Sequence, residues 1–272
     1  MSCACPSEVH SNSDGHPETT IDASGRDEWG RPIDYRTLNV EIRKAMEAGA
    51  SHINIKGVMG QRYIASAAVN KELYIGIKGT PGNNLGAFLN GPTIEVFGNA
   101  QDMTGNTMSS GRIVVHGNAW DVTGLAARGG RILVKGSSGY RVGIHMKAFG
   151  NNRPTVIIGG RAGDYLGEYM AGGNILVLGN GVADGESPVG TFTGAGIHGG
   201  FIYVRGPVAE RQLGTGAAIQ SLNEEDKTVL EELLSDFEQA FGASLGRDWS
   251  KFNKIGPLSS RPFRGHFDPT PI

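Results

Sequence analysis

Cysteine is nearly absent: the chain has only Cys3 and Cys5, one residue apart near its start. That excludes a disulfide framework and makes a reducing cytoplasm the natural setting. Aromatic residues make up 7% of the chain against 39% apolar residues in all, so any core must be built mainly from aliphatics. Neither sign of charge dominates. The formal net charge of −2 leaves no basic footprint for nucleic acid. No apolar run approaches the roughly twenty residues that cross a bilayer. The opening residues have neither a positive n-region nor an apolar h-region, so they do not form a secretory signal.

Cys3 and Cys5, with His10 and His16, are four soft ligands in a polar stretch that offers no ordered context for a metal. The preferred reading of residues 1–33 is a flexible leader.

Glycine is the residue in excess, 43 of 272, and it recurs at fixed intervals. The segments at 98–105 (GNAQDMTG), 117–124 (GNAWDVTG) and 160–167 (GRAGDYLG) align without gaps; those at 79–86 and 136–143 keep both glycines. With degenerate copies, the repeats start at Gly57, Gly79, Gly98, Gly117, Gly136, Gly160, Gly179 and Gly206, most often 19 residues apart. Four and two residues before each glycine stand only Ile or Val, as in Ile94 and Val96, Ile113 and Val115, Ile132 and Val134, and Ile175 and Val177. Alternation with period two makes each a short strand with one buried face, and branched side chains suit a pleated surface. One strand per 19 residues cannot bury that face alone, so successive copies must stack and turn the Ile/Val positions into internal ladders. Hairpin folds would need strand-turn-strand spacings nearer ten residues. The expectation is a mainly β protein, a single-stranded right-handed β-helix of about eight coils over residues 52–215.

Helical spacing of Leu38, Ile42, Ala45 and Met46 predicts a capping helix at 34–51. Leu230, Leu233, Leu234 and Phe237 predict an amphipathic helix within 216–245, capping the other end, after which 246–272 forms an extended tail.

Candidates for chemistry are few. Asp102, Asp121 and Asp164 share one coil position and could form a calcium ladder, but turn Asp residues more often bond backbone. His52, His116, His145, His198 and His266 fall at different positions, and no nucleophile-base arrangement is visible. The glycines are not followed by helices, so the phosphate-loop reading fails its context test. Catalytic, cofactor and metal residues are therefore expected to be none on this chain. The outward strand positions turn apolar from the fourth coil. Val114, Leu133, Ile157, Leu176, Leu178 and Tyr203 form a strip that predicts a subunit interface, unless the C-terminal segment covers it.

The runs GQRYIASAAV, TPGNNLGAF, GNAQDMTGNTMSSG, GYRVGIHMK and GDYLGEYMAGG resemble the C-terminal β-helix domain of glutamate synthase. Its family, named for a repeated glycine motif, also includes one of the subunits of formylmethanofuran dehydrogenase. Gly60-Gln61 and Glu168-Tyr169-Met170 look more like the glutamate synthase branch. The resemblance implies a stand-alone, non-catalytic scaffold and channelling subunit, as in split glutamate synthases and N-methylglutamate synthase. It would join a glutaminase-like amidotransferase subunit to an FMN-dependent synthase subunit in a hetero-oligomer. FMN and an iron–sulfur cluster would then belong to partners, with no cofactor on this chain. A formyl-transfer scaffold of the formylmethanofuran type is the alternative, and a free-standing polysaccharide-binding β-helix is a more remote one.

Overall fold

The computed structural model describes residues 7–11 and 17–259. Its strands are β1 (Ser7–Ser11), β2 (Pro17–Asp22), β3 (His52–Met59), β4 (Tyr74–Thr80), β5 (Asn90–Phe97), β6 (Ser110–Val115), β7 (Arg131–Val134), β8 (Thr155–Ile158), β9 (Ala171–Val177), β10 (Gly199–Arg205), β11 (Ala217–Gln220) and β12 (Phe252–Pro257). Two α-helices join them, α1 (Tyr35–Glu47) and α2 (Glu224–Phe241). All the strands lie in one sheet that follows chain order up to β10 and ends β10-β12-β11. From β2 to β10 every neighbour is parallel. The fold is a β-solenoid. Among the described residues, no helix is long and apolar enough to cross a membrane.

Register follows from the Ile/Val pattern. Ile75 pairs with Ile94, Ile94 with Ile113 and Ile113 with Ile132, while the second position runs Val96, Val115, Val134. Ile94, Val96, Ile113, Val115, Ile132, Val134, Ile175 and Val177 are all at most 1% exposed and share one core cluster. A slip of one residue would turn every one of these side chains to the outer face.

Between strands the chain crosses the opposite wall in five-residue stretches: 63–67, 84–88, 103–107, 122–126, 141–145, 165–169 and 192–196. In each, the first, third and fifth residues have positive φ. This alternation aims successive amides in opposite directions. Met103 N–H and Thr107 N–H donate to Asp121 O (2.9 Å) and Leu125 O (2.7 Å) on the next coil, whereas Gly105 N–H donates back to Leu85 O (2.8 Å). The crossing thus bonds to both neighbours without β geometry. The central residue is glycine for two reasons. At Gly105 φ is +70°, and an added Cβ would lie 2.3 Å from Cδ1 of Ile132 on the next rung. The gap left by the missing side chain is filled by the ladder.

Eight repeat rungs are present as β3–β10, but complete turns number about six rather than eight. Ala65 replaces the central glycine in the first crossing.

Both ends differ from expectation. Residues expected as a flexible leader supply β1 and β2. Thr19 and Ile21 pair with Ile53 and Ile55, extending the ladders one rung below the first repeat glycine. That rung ends in Ala23 and Ser24 rather than glycine, so the glycine spacing did not reveal it. Helix α1 closes this end, burying Leu38, Ile42 and Ala45 in the core cluster. At the other end, the segment expected as an extended tail forms β12, antiparallel to both β10 and β11. These strands continue the sheet, and α2 lies along its outer face instead of across the mouth. Cys3, Cys5, His16 and His266 lie outside the described residues, as does the side chain of His10.

Candidate functional site

The outward strip leads directly to α2. This helix starts at a capping box, in which Asn223 Oδ1 accepts the Asp226 N–H and Asp226 Oδ2 accepts the Asn223 N–H, both at 2.9 Å. Glu224, Glu225 and Asp226 complement the positive end of the helix dipole, and Gly242 ends it at φ +62°. One face buries Leu230, Leu233, Leu234 and Phe237, and these form a single cluster with Leu133, Ile157, Leu176, Leu178 and Tyr203. Val114 is also buried. The six candidate interface residues are therefore interior to the monomer. The expected partner surface is instead the seat of the chain's own helix, because a sheet with two apolar faces needs cover on both.

Charge fastens the helix in place. Arg112 and Arg131 both donate to Asp236, and Arg131 also to Glu232. Nearer the start of α2, Asp226 accepts from Tyr203 Oη and from Lys254 Nζ, each at 2.8 Å, so β10, β12 and the helix share one buried carboxylate. Burial opposes ionisation of Asp226, but the bonds from Lys254, the Asn223 amide and Tyr203 outweigh it and hold the carboxyl below its usual range. Burial, reinforced by Asp226, pushes the Tyr203 phenol up.

Beyond the C-terminal end of α2, three titratable groups join on the outer face. Glu95 accepts from Tyr74 Oη at 2.6 Å and meets Nε2 of His116 at 2.7 Å. The His116 ring stacks on Phe97 and meets Phe241 edge-on. Burial disfavours the Glu95 carboxylate, yet Tyr74 and His116 together keep its pKa lowered. No nucleophile joins this chain of contacts. A cleft of about 550 Å³ between residues 179–188 and 246–253 is lined by Arg205, Asp184 and Asp248, and Arg205 spends its donors on Leu178 O and Asn180 Oδ1.

The aspartate row bonds backbone one coil further on. Asp102 accepts from Asp121 N–H, Asp121 from Tyr140 N–H and Asp164 from Thr191 N–H, at 2.7–3.1 Å. Each carboxylate thus satisfies a turn amide that the ladder leaves unpaired. Among the described residues no three of His, Cys, Asp and Glu gather as metal ligands would. Of the other histidines, His52 meets the Tyr74 ring, and His198 Nδ1 lies 3.2 Å from Gly196 O. The motif residues are placed far apart. Gly60 and buried Gln61 follow β3, where Gln61 Oε1 accepts the Met59 N–H at 2.7 Å and Gln61 Nε2 donates to Ala23 O and Ile33 O. Glu168 pairs with Arg141, Tyr169 is exposed and Met170 is in the core.

One group escaped the sequence reading, namely the side chains on the left-handed positions of the back wall. Tyr63, Phe88, Tyr169 and Phe192 are 42–58% exposed there. Tyr165 stacks on Phe192 at 4.9 Å and His145 on Tyr169 at 5.4 Å. The signal was available in the repeat, five and nine residues after Gly79, Gly98, Gly117, Gly136 and Gly160, but only the conformation makes it unusual.

A family model described as "GXGXG motif" matches residues 36–255. An uncharacterized protein of Methanocaldococcus jannaschii, MJ1350, is similar at 47% identity over 268 residues, spanning 94% of this chain and 98% of its own length.

Proposed function

The chain belongs to the GXGXG motif family, and from that premise we propose that it is the scaffold and channelling subunit of a glutamate synthase-like complex, most specifically of the N-methylglutamate synthase type. It would hold a glutaminase-like subunit against an FMN-dependent synthase subunit. The observation that carries this reading is the extent of the match, residues 36–255, together with Gly60-Gln61 and Glu168-Tyr169-Met170, which resemble the glutamate synthase branch.

The chemistry would lie on the partners. Methylamine nitrogen forms a new bond to Cα of glutamate, the original amino group leaves as ammonia, and N-methylglutamate results. This chain would contribute rigidity. Ladders of fully buried aliphatics between two hydrogen-bonded faces resist bending, which suits an element that must hold two reaction centres in register.

The reading is tested by co-expressing the full chain with a glutaminase-like and an FMN-dependent synthase chain. A stable three-chain complex that makes N-methylglutamate from methylamine and glutamate, with no turnover when this chain is omitted, is expected. Turnover by this chain alone, or a fully active pair without it, overturns the proposal. Transfer of glutamine-derived ammonia in place of methylamine overturns only the finer assignment.

A further inference from the structure

The repeat lengthens sharply once, and the added chain walls a cleft. In five successive repeats the crossing begins five residues after the starting glycine, as with Gly98 and Met103 or Gly160 and Tyr165. After Gly179 it begins thirteen residues on, at Phe192. The additional residues form a loop that returns to the column at Pro188, which lies against Gly179 and Gly206. The opposite wall is residues 246–253, beyond α2, and it is tied to the column. Gly206 N–H donates to Lys251 O at 2.9 Å, and Asn253 Nδ2 donates to Gly206 O at 2.7 Å. Between the two walls lies the cleft of about 550 Å³, within the roughly 300–1,000 Å³ of small-molecule sites.

Arg205 lines this cleft and is an exception among the arginines. Arg112, Arg131 and Arg247 are partly buried, as Arg205 is, and each of the three pairs with carboxylates. Arg205 bonds two neutral oxygens instead, and among the described residues it is the one partly buried arginine without a carboxylate partner. Those bonds take two of the five guanidinium N–H groups and leave both on Nη1. Burial pushes its pKa down, and no acid offsets that effect. Asp184, on the added loop, is its counterpart. Its carboxylate lines the same cleft but has neither a hydrogen bond nor an ion pair with any described residue. The other charges of the cleft are engaged: Glu186 with Arg161, and Asp248 with Ser250 and, at 3.9 Å, with Lys251. One cation and one anion thus share the cleft without pairing.

We propose that this cleft binds a free α-amino acid, with the ligand carboxylate on the open edge of Arg205 and the ligand ammonium on Asp184. A planar guanidinium edge matches a carboxylate or a phosphate. The acids Asp184, Glu186 and Asp248 would repel a phosphate dianion, whereas a zwitterion satisfies both unpaired groups at once. The site goes beyond the scaffold reading and stands or falls without it.

The test titrates the purified full chain calorimetrically with each common L-α-amino acid, with the N-acetyl derivative of any that binds, and with inorganic phosphate. One amino acid, or a chemically related set, should bind saturably at one site per chain. The N-acetyl derivative keeps the carboxylate but carries no ammonium, and should bind at least tenfold more weakly. Asp184→Asn should weaken the amino acid at least tenfold and leave its N-acetyl derivative unaffected, while Arg205→Gln should weaken both. Because Asp184 bonds no other described residue, the thermal midpoint of Asp184→Asn should not fall, so this variant decides the matter even if Arg205→Gln does not fold. Absence of saturable binding by every amino acid, equally tight binding of phosphate, or amino-acid binding unchanged by Asp184→Asn overturns the proposal. Each of these results leaves the three-chain reconstitution to decide the scaffold reading separately.

Discussion

At the scale of single residues, glycine does two separable things in this protein. Gly181 has φ +76° and open space around a hypothetical Cβ, whereas Gly105, at +70°, has Cδ1 of Ile132 within 2.3 Å of it. Gly181→Ala should therefore cost only the left-handed backbone term, about 1–2 kcal/mol. Gly105→Ala adds overpacking of the ladder, about 1–3 kcal/mol more. Denaturant midpoints for the two variants test the separation; equal shifts would mean that the ladder yields freely. The aspartates follow the same logic of position. A carboxylate at a turn looks like a metal ligand in sequence, but the stack places a bare backbone amide one coil above it, and that amide takes the bond.

At the scale of elements, α2 is an amphipathic helix held at its start by buried charge and further along by the arginine clamps at Asp236. The Asp226 carboxyl, which accepts from Tyr203 on β10 and Lys254 on β12, is held below its usual range. Groups with depressed folded pKa values contribute stability that is complete above their unfolded values, near 4, and lost as the pH falls through the folded ones. Helix α2 should thus stay docked from neutral pH down to about pH 4 and loosen progressively below it. Hydrogen exchange of residues 224–241 relative to the rungs of β4–β6 would report this; protection unchanged at pH 2.5 would contradict it. The helix itself was legible in the sequence from its apolar stripe and its Asn223 cap. Its place on the side of the column was not, because a stripe reveals that a face must be buried but not what buries it.

At the scale of the molecule, the question is which apolar surfaces are core and which are interface. From the sequence, Leu133 and Leu176 read as interface, with cover by the C-terminal segment as the alternative. In the folded chain both are fully buried beneath the helix. Leu176→Lys should accordingly destabilise the isolated monomer by about 4 kcal/mol or more, since it buries a charge without a partner, and should expose dye-binding apolar surface. A monomer of unchanged stability that merely loses a partner would restore the strip as an interface.

The repeat of Gly, Ile and Val by itself determined that this chain stacks parallel rungs, and in which register, because period-two burial and a fixed coil length allow few other solutions. Only the tertiary structure decided what covers the second face, how many turns close, and which side chains stand out in water. Those outcomes depend on contacts between residues far apart in the chain, such as Arg112 with Asp236 and Tyr203 with Asp226, and local spacing carries no record of them.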